Sequence, residues 1–370
     1  MPDVIVVGAG VVGAATAYYA AEAGLDVTVV DRGPVAGGTS GAGEGNILVS
    51  DKEPGPELDL AVLSNRLWRE LAGRVSFEFE AKGGLVVAET PEVLEQLTGL
   101  AAKQGVAHTV ARELSSYEPH LTTDLAGGVF YPDDAQVQPM LAAARLLRAS
   151  GVRLRTGVTV TGFLRSGDAV TGVRTTGGDL HAGAVVNAAG TWGGALADLA
   201  GVRVPVLPRR GFILVTEPLR EPLIRHKVYT AAYVTNVASD SEALETSAVV
   251  EGTQAGTVLI GASRERVGFD RTPSVPVLRR LAAQATALFP ALRDVRVIRT
   301  YCGFRPYCPD HLPVIGPDPR APGLYHACGH EGAGIGLAPV TGRLIAQSIT
   351  GRATDLDLSP FRPDRFEESR

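Results

Sequence analysis

Apolar positions along this chain follow two rhythms, one of short runs and one of helical faces. Residues 4–7 are an unbroken apolar run that meets glycine at once, and residues 14–23 then read as a helix closed by Gly24. A second strand, residues 26–30, ends at Asp31. Leu60, Leu63, Leu67 and Leu71 share one helical face of residues 56–73, and 91–104 and 139–150 read as further helices. Between residues 152 and 190 the pattern becomes strand-like, over 152–155, 158–165, 169–175 and 184–189, with Gly167-Asp168 and Gly177-Gly178 as turns. Strands are also expected at 77–80, 84–88, 212–216, 247–250, 257–262, 295–301 and 324–327, and helices at 275–289 and 335–350. The polar end, residues 361–370, is expected to fray. This alternation predicts an α/β fold with an α+β second domain.

Composition narrows the picture. A chain of 370 residues exceeds one ordinary core, so two closely joined domains are expected. With 45% hydrophobic and 20% charged residues and a net charge of −5, nothing points to nucleic acid or an anionic membrane surface. No apolar run is long enough for an integral membrane segment, and the N-terminal run is a strand rather than a signal peptide. Cys302, Cys308 and Cys328 are odd in number and lack Cys-x-x-Cys spacing, which indicates neither disulfides nor a metal site and suggests a reducing, cytoplasmic setting.

The glycines carry the chemistry. In Gly8-Ala9-Gly10-Val11-Val12-Gly13, the first glycine allows a tight strand-to-helix turn, the second lets backbone approach a pyrophosphate, and the third lets helix and strand pack closely. The helix start offers free N–H groups to phosphate. Asp31 stands eighteen residues after Gly13, near the spacing of a ribose-hydroxyl acceptor, with Arg32 beside it. A glycine-rich loop with Thr39, Ser40, Glu44 and Asn46 follows. A second glycine motif, residues 329–336, opens the last helix, a feature that a simple nicotinamide domain does not use but that suits a flavin held at both ends.

These motifs, with Ala188-Ala189-Gly190-Thr191-Trp192 and Gly303-Phe304-Arg305-Pro306 in the same order, resemble the FAD-dependent D-amino-acid oxidase superfamily along essentially the whole chain. The family includes glycine oxidase, sarcosine oxidase, D-amino-acid dehydrogenase and hydroxyproline dehydrogenases. The resemblance implies a Rossmann-like FAD-binding domain interleaved with a mixed-sheet substrate domain. The expected division gives residues 1–75, 140–205 and 300–370 to FAD and residues 76–139 and 206–299 to substrate. It implies FAD contacts at Gly8, Gly10, Val11, Val12, Gly13, Asp31 and Arg32, and at Thr39, Ser40, Gly45, Asn46 and Ile47 in the loop. Val160 matches the adenine contact, and Ala188, Gly190, Trp192 and Gly303 lie beside the cofactor. Gly334, Ile335, Gly336 and Leu337 would present backbone N–H groups to the reduced ring.

By the same resemblance, Arg305 binds the substrate carboxylate, a role that suits a planar, two-pronged cation. Tyr229 and Tyr233 are softer candidates in a segment expected to overhang the substrate, because the family's carboxylate-binding tyrosine falls on Val249 here. His330 and Glu331 would either tune the ring or serve structurally, and Arg209 and Arg210 are read as structural or cofactor-shielding residues of a turn. Monomeric sarcosine oxidases attach flavin through a cysteine near this region. Cys302 sits one residue out of that register, so a buried, inert thiol is expected.

The activity implied is oxidation of the C–N bond of a small amino or imino acid (a D-amino acid, glycine or a proline-like acid). Hydride would pass to FAD, giving an imine that hydrolyses unless it is cyclic, and oxygen, a quinone or a redox partner protein would take the electrons. The alternatives are a sarcosine-type N-demethylating oxidase, and the flavin subunit of a hetero-oligomeric dehydrogenase.

Overall fold

In a computed structural model of the chain, residues 1–237 and 239–366 are described. Two sheets organise them. A six-stranded sheet has the order Val314–Pro317, Leu324–Cys328, Ala184–Asn187, Val4–Val7, Val27–Asp31, Arg153–Thr156, parallel except for its first pair. Val4 to Val7 are buried throughout, as an unbroken apolar run at the centre of a parallel sheet requires. The helix Val11–Glu22 packs on the last helix, Ala338–Ile349. Gly342 makes this contact possible, since a side chain there would meet the Ala15 backbone.

The second sheet has eight strands in the order Val297–Tyr307, Leu207–Thr216, Val258–Arg264, Glu245–Gly252, Lys227–Thr230, Gly84–Ala88, Gly127–Tyr131, Thr109–Ala111. It is antiparallel but for the pair 227–230 and 84–88. The helix Val275–Leu288 covers part of one face through Val277, Leu281 and Ala285. Two three-stranded sheets complete the fold. One is the antiparallel excursion Val160–Ser166, Ala169–Thr175, Gly178–His181, and the other joins Asn46–Ile47, Ala135–Val137 and Phe79–Glu80.

Several elements differ from expectation. The last helix starts at Ala338, because residues 331–333 form a separate 3-10 turn. Arg209 and Arg210 lie inside a ten-residue strand rather than a turn, paired along its length with residues 297–307. The strands Gly127–Tyr131, Lys227–Thr230 and Val314–Pro317 and the seven-residue helices Gly193–Leu199 and Ala231–Val237 were not anticipated. Near the end, residues 359–361 and 363–366 form short 3-10 turns with Phe361 buried, and the expectation of fraying at residues 367–370 lies outside the described residues. No described helix is long and apolar enough to cross a membrane.

Candidate active site

The first glycine turn is a three-way junction. Gly8 has φ +119°, and a methyl group there would overlap the Ala188 carbonyl; one at Gly13 would overlap the Gly8 carbonyl. Gly13 therefore serves packing and takes no part in the cavity wall. Gly10 differs, because its missing side chain leaves space bounded only by Ser40 Oγ, 3.1 Å away. Ser40 Oγ accepts the Val11 N–H at 3.0 Å. Asp31 ties the next loop down by accepting the Ala9 and Gly33 N–H groups, each at 2.7 Å.

From this turn a cavity of about 400 Å³ runs to the eight-stranded sheet. Gly8, Gly10, Val11, Val12, Asp31 and Arg32 form its wall at one end, with Val160 beside them. Thr39, Ser40, Asn46, Ala188, Gly190 and Trp192 continue it, and Gly303, Arg305, Tyr233, Gly334 and Ile335 lie on the wall as well. Trp192 stacks on Phe269 with rings 6° from parallel, and the Arg32 guanidinium sits 4.1 Å from the Trp192 ring centroid. Sequence separations of more than 300 residues, as between Gly8 and Ile335, are thus closed into one space.

At the sheet end Arg305 Nη1 donates to the Ser263 carbonyl at 2.8 Å, and no carboxylate lies within ion-pair reach among the described residues. Burial, and then the neighbouring Arg264, pull its pKa down to about 10, so it stays a cation at neutral pH. Tyr233 is 4% exposed and faces the cavity, and its hydroxyl makes no hydrogen bond among the described residues. Glu331 has φ +46° and is held by Arg209 Nη1 at 2.5 Å and His311 Nδ1 at 3.0 Å. Burial pushes its carboxyl up, but the His311 bond with Arg209 and Arg264 outweighs this and holds it down. His330 bonds Thr341 at 2.9 Å, and burial lowers its pKa to about 3, leaving it neutral.

Some expected residues lie elsewhere. Tyr229 is fully buried in the core and overhangs nothing; its hydroxyl meets Ser50 and its ring packs edge-on to Tyr233. Gly45 hydrogen-bonds Val137 and the Glu251 carboxylate, and Ile47 pairs with Ala135 in the small sheet. The Gly336 carbonyl is taken by Ser64 at 2.6 Å and Trp68 at 3.0 Å, while Leu337 is core. Cys302 packs with the cluster around Phe212 and is absent from the cavity wall, and burial raises its thiol pKa.

Sequence reasoning assigned no role to two side chains. Glu44, on the wall, is 6% exposed; its Oε2 accepts from Asn46 Nδ2 at 3.3 Å, while Oε1 has no partner among the described residues. Burial raises its carboxyl pKa above the ordinary value. Its only signal was an acid inside a glycine-rich loop. Arg264 ends a strand and gave no signal, since a terminal arginine usually reaches solvent.

The space fits a flavin dinucleotide. Gly10 leaves the approach to the helix start open, Asp31 stands at the end of the second strand, and Asn46 Oδ1 is enclosed on the wall without a partner. Comparison with known proteins agrees. Residues 3–348 match the family described as FAD dependent oxidoreductase (DAO). The chain is 33% identical to glycine oxidase of Pseudomonas aeruginosa, covering 97% of this chain and 98% of that one. It is 32% identical to hydrogen cyanide synthase subunit HcnC of the same organism, covering 99% and 96%. The crystal structure of glycine oxidase from Geobacillus kaustophilus superposes with a TM-score of 0.89 at 27% identity, covering 99% of both chains. The matched family, the glycine junction and the cavity lead to one conclusion: this chain belongs to the FAD-dependent oxidoreductases of the D-amino-acid oxidase type.

Proposed function

We propose that the chain oxidises the C–N bond of a small amino or imino acid. The observation that carries this reading is Arg305, a guanidinium on the wall of the cavity that begins at the dinucleotide turn, without a carboxylate partner among the described residues. FAD, when bound, supplies the two-electron acceptor for the hydride of the substrate's α-carbon. Arg305 clamps the substrate carboxylate in a two-pronged, charge-assisted pair and so fixes where the α-carbon sits. Tyr233 adds a hydrogen bond from its unpartnered hydroxyl. Glu44 Oε1 is available to accept one from the substrate's amine. Gly332 leaves room beside Arg305, since a Cβ there would come within 3.7 Å of the Arg305 side chain.

In the same reading, Asp31 and Arg32 meet the ribose, Val160 the adenine, and Gly10, Val11, Val12 and Ser40 the pyrophosphate. Asn46, Ala188, Gly190 and Trp192 flank the ring system, with Gly334 and Ile335 at its far end. Residues 1–75, 140–205 and 300–370 then serve FAD, and residues 76–139 and 206–299 the substrate. The relatives named glycine oxidase support an amino-acid substrate.

A panel of glycine, sarcosine and D- and L-amino and imino acids tests the proposal, with an artificial electron acceptor and product analysis. Keto acid with ammonia, or a cyclic imine, is expected, whereas formaldehyde from sarcosine as the main product would favour the N-demethylating alternative. A second reading, a flavin subunit of a larger assembly, draws on the relative named as a hydrogen cyanide synthase subunit. Full turnover by the isolated chain would exclude it.

A further inference from the structure

His311 joins the two segments that flank the substrate end of the cavity. Its Nδ1 lies 3.0 Å from Glu331 Oε2, and its Nε2 lies 3.0 Å from Asp240 Oδ1. Glu331 belongs to the turn before the last helix and stands on the cavity wall, next to Gly332 and so to the Arg305 side chain. Asp240 follows the helix Ala231–Val237, which puts Tyr233 on the same wall. His311 has φ +58° and Glu331 φ +46°, two of the three non-glycine residues in left-handed backbone among the described ones. Side chains adopt that region at a cost, so finding both partners there points to a role for the pair.

The two contacts demand a charge. A neutral imidazole has one N–H and donates to one carboxylate, whereas an imidazolium donates to both. The bond to Glu331 raises the His311 pKa against the effect of burial, and the bond to Asp240 adds to it. When the proton leaves, the buried carboxylate keeps the remaining donor. The Glu331 side chain is only 8% exposed, whereas that of Asp240, at 75%, turns to water without loss.

The other charged and titratable groups around the ring have partners of their own. Tyr307 meets His311 edge-on at 5.6 Å and donates to Asp240 at 3.0 Å. Arg209 holds Glu331 and Glu245, and Arg266 holds Glu242 and the Asp240 carbonyl. Asp310 pairs with Arg365, and Glu57 lies 3.7 Å from Lys52.

We propose that His311 is a positioning residue, whose imidazolium ties the segment after Tyr233 to the turn beside Arg305 and so sets the two groups around one substrate carboxylate. This rests on the reading of that end of the cavity as the substrate site. Loss of the proton frees Asp240, loosens the Tyr233 helix and weakens substrate binding. Because both bonds favour the charged form, tight binding holds below the ordinary histidine pKa of about 6.5 and is lost as pH rises through the raised value.

The test titrates the FAD-loaded enzyme with acetate, which offers Arg305 a carboxylate and has no amine to titrate. The flavin spectrum is the readout, over a pH range that begins below about 6.5 and ends in mild alkali. The Kd should rise about tenfold across the range, the scale of one hydrogen bond to a charged group. KM for an amino or imino acid that reduces the flavin should follow the same curve, with kcat changed by less than about threefold. His311→Gln should show the high Kd at every pH, and Asp240→Ala, a change at an exposed position, should do the same. His311→Arg, charged throughout, should hold the low Kd into alkali, a rescue that a merely structural role would not give. Binding and KM that do not change with pH, or a rise of the same size that survives in His311→Gln and Asp240→Ala, would overturn this proposal alone. A flavin that no amino or imino acid reduces would overturn it together with the reading beneath it.

Discussion

Thr39 Oγ1 donates to the carbonyl of Phe304 at 2.7 Å across 265 residues of sequence, and Thr191 Oγ1 donates to the same oxygen at 2.8 Å. The residue before Arg305 is thereby pinned to the glycine-rich loop and to the stretch after strand 184–187. Thr39→Val removes one of the two anchors and should lower kcat/KM about fivefold, the scale of one net hydrogen bond. Arg305→Leu, which removes the clamp itself, should lower it by about 10² to 10³. Steady-state kinetics on both variants, with FAD content checked, measures the difference.

The two tyrosines should separate cleanly. Tyr233→Phe removes a hydroxyl that faces the cavity and should raise KM about tenfold, because a hydrogen bond to a charged group is worth about 1.5–3 kcal/mol. Its stability should barely change. Tyr229→Phe removes a hydroxyl bonded to Ser50 in the core, so unfolding should become easier by about 1 kcal/mol while KM holds. Denaturant melts beside kinetics distinguish the two.

The glycines of the first turn predict different failures. Gly8→Ala and Gly13→Ala each force a methyl group onto backbone, and folded protein should be lost. Gly10→Ala meets only Ser40 Oγ and should fold, yet bind FAD at least about tenfold more weakly, because the methyl occupies the approach to the helix start. Circular dichroism and flavin titration of the three variants check this.

Glu44 makes a prediction in pH. Burial raises its carboxyl pKa above the unfolded value, so the folded state holds a proton that the unfolded state has lost. The residue's contribution to stability therefore falls as pH rises from the ordinary glutamate pKa through the raised one. Glu44→Gln should melt above the parent protein at neutral and alkaline pH, with the gap closing as pH falls toward about 4.3. Melting curves of the two proteins between acid and mild alkali measure the gap.

The dinucleotide turn was legible because its logic is local: strand, three glycines, helix, strand and acid follow one another within 31 residues. Arg305 was legible through the motif around it. Tyr229 and Tyr233 were not separable, since the chain passes from strand to helix between Thr230 and Ala231 and turns one ring into the core and the other to the cavity. Glu44 and Arg264 were hidden for a different reason. What marks each is a buried polar atom without a partner among the described residues, Glu44 Oε1 and Arg264 Nε, and partners are set by tertiary packing that spacing along the chain does not encode. The strand Lys227–Thr230 was missed likewise, because its four residues become a strand only between 84–88 and 245–252.

The visible spectrum of the purified, FAD-loaded protein under anaerobic conditions tests the central claim most directly. An amino or imino acid added in excess should bleach the flavin band, and Arg305→Leu should slow that bleaching while FAD stays bound. A protein that takes up no FAD, or a bound flavin that no amino or imino acid reduces, would contradict the account.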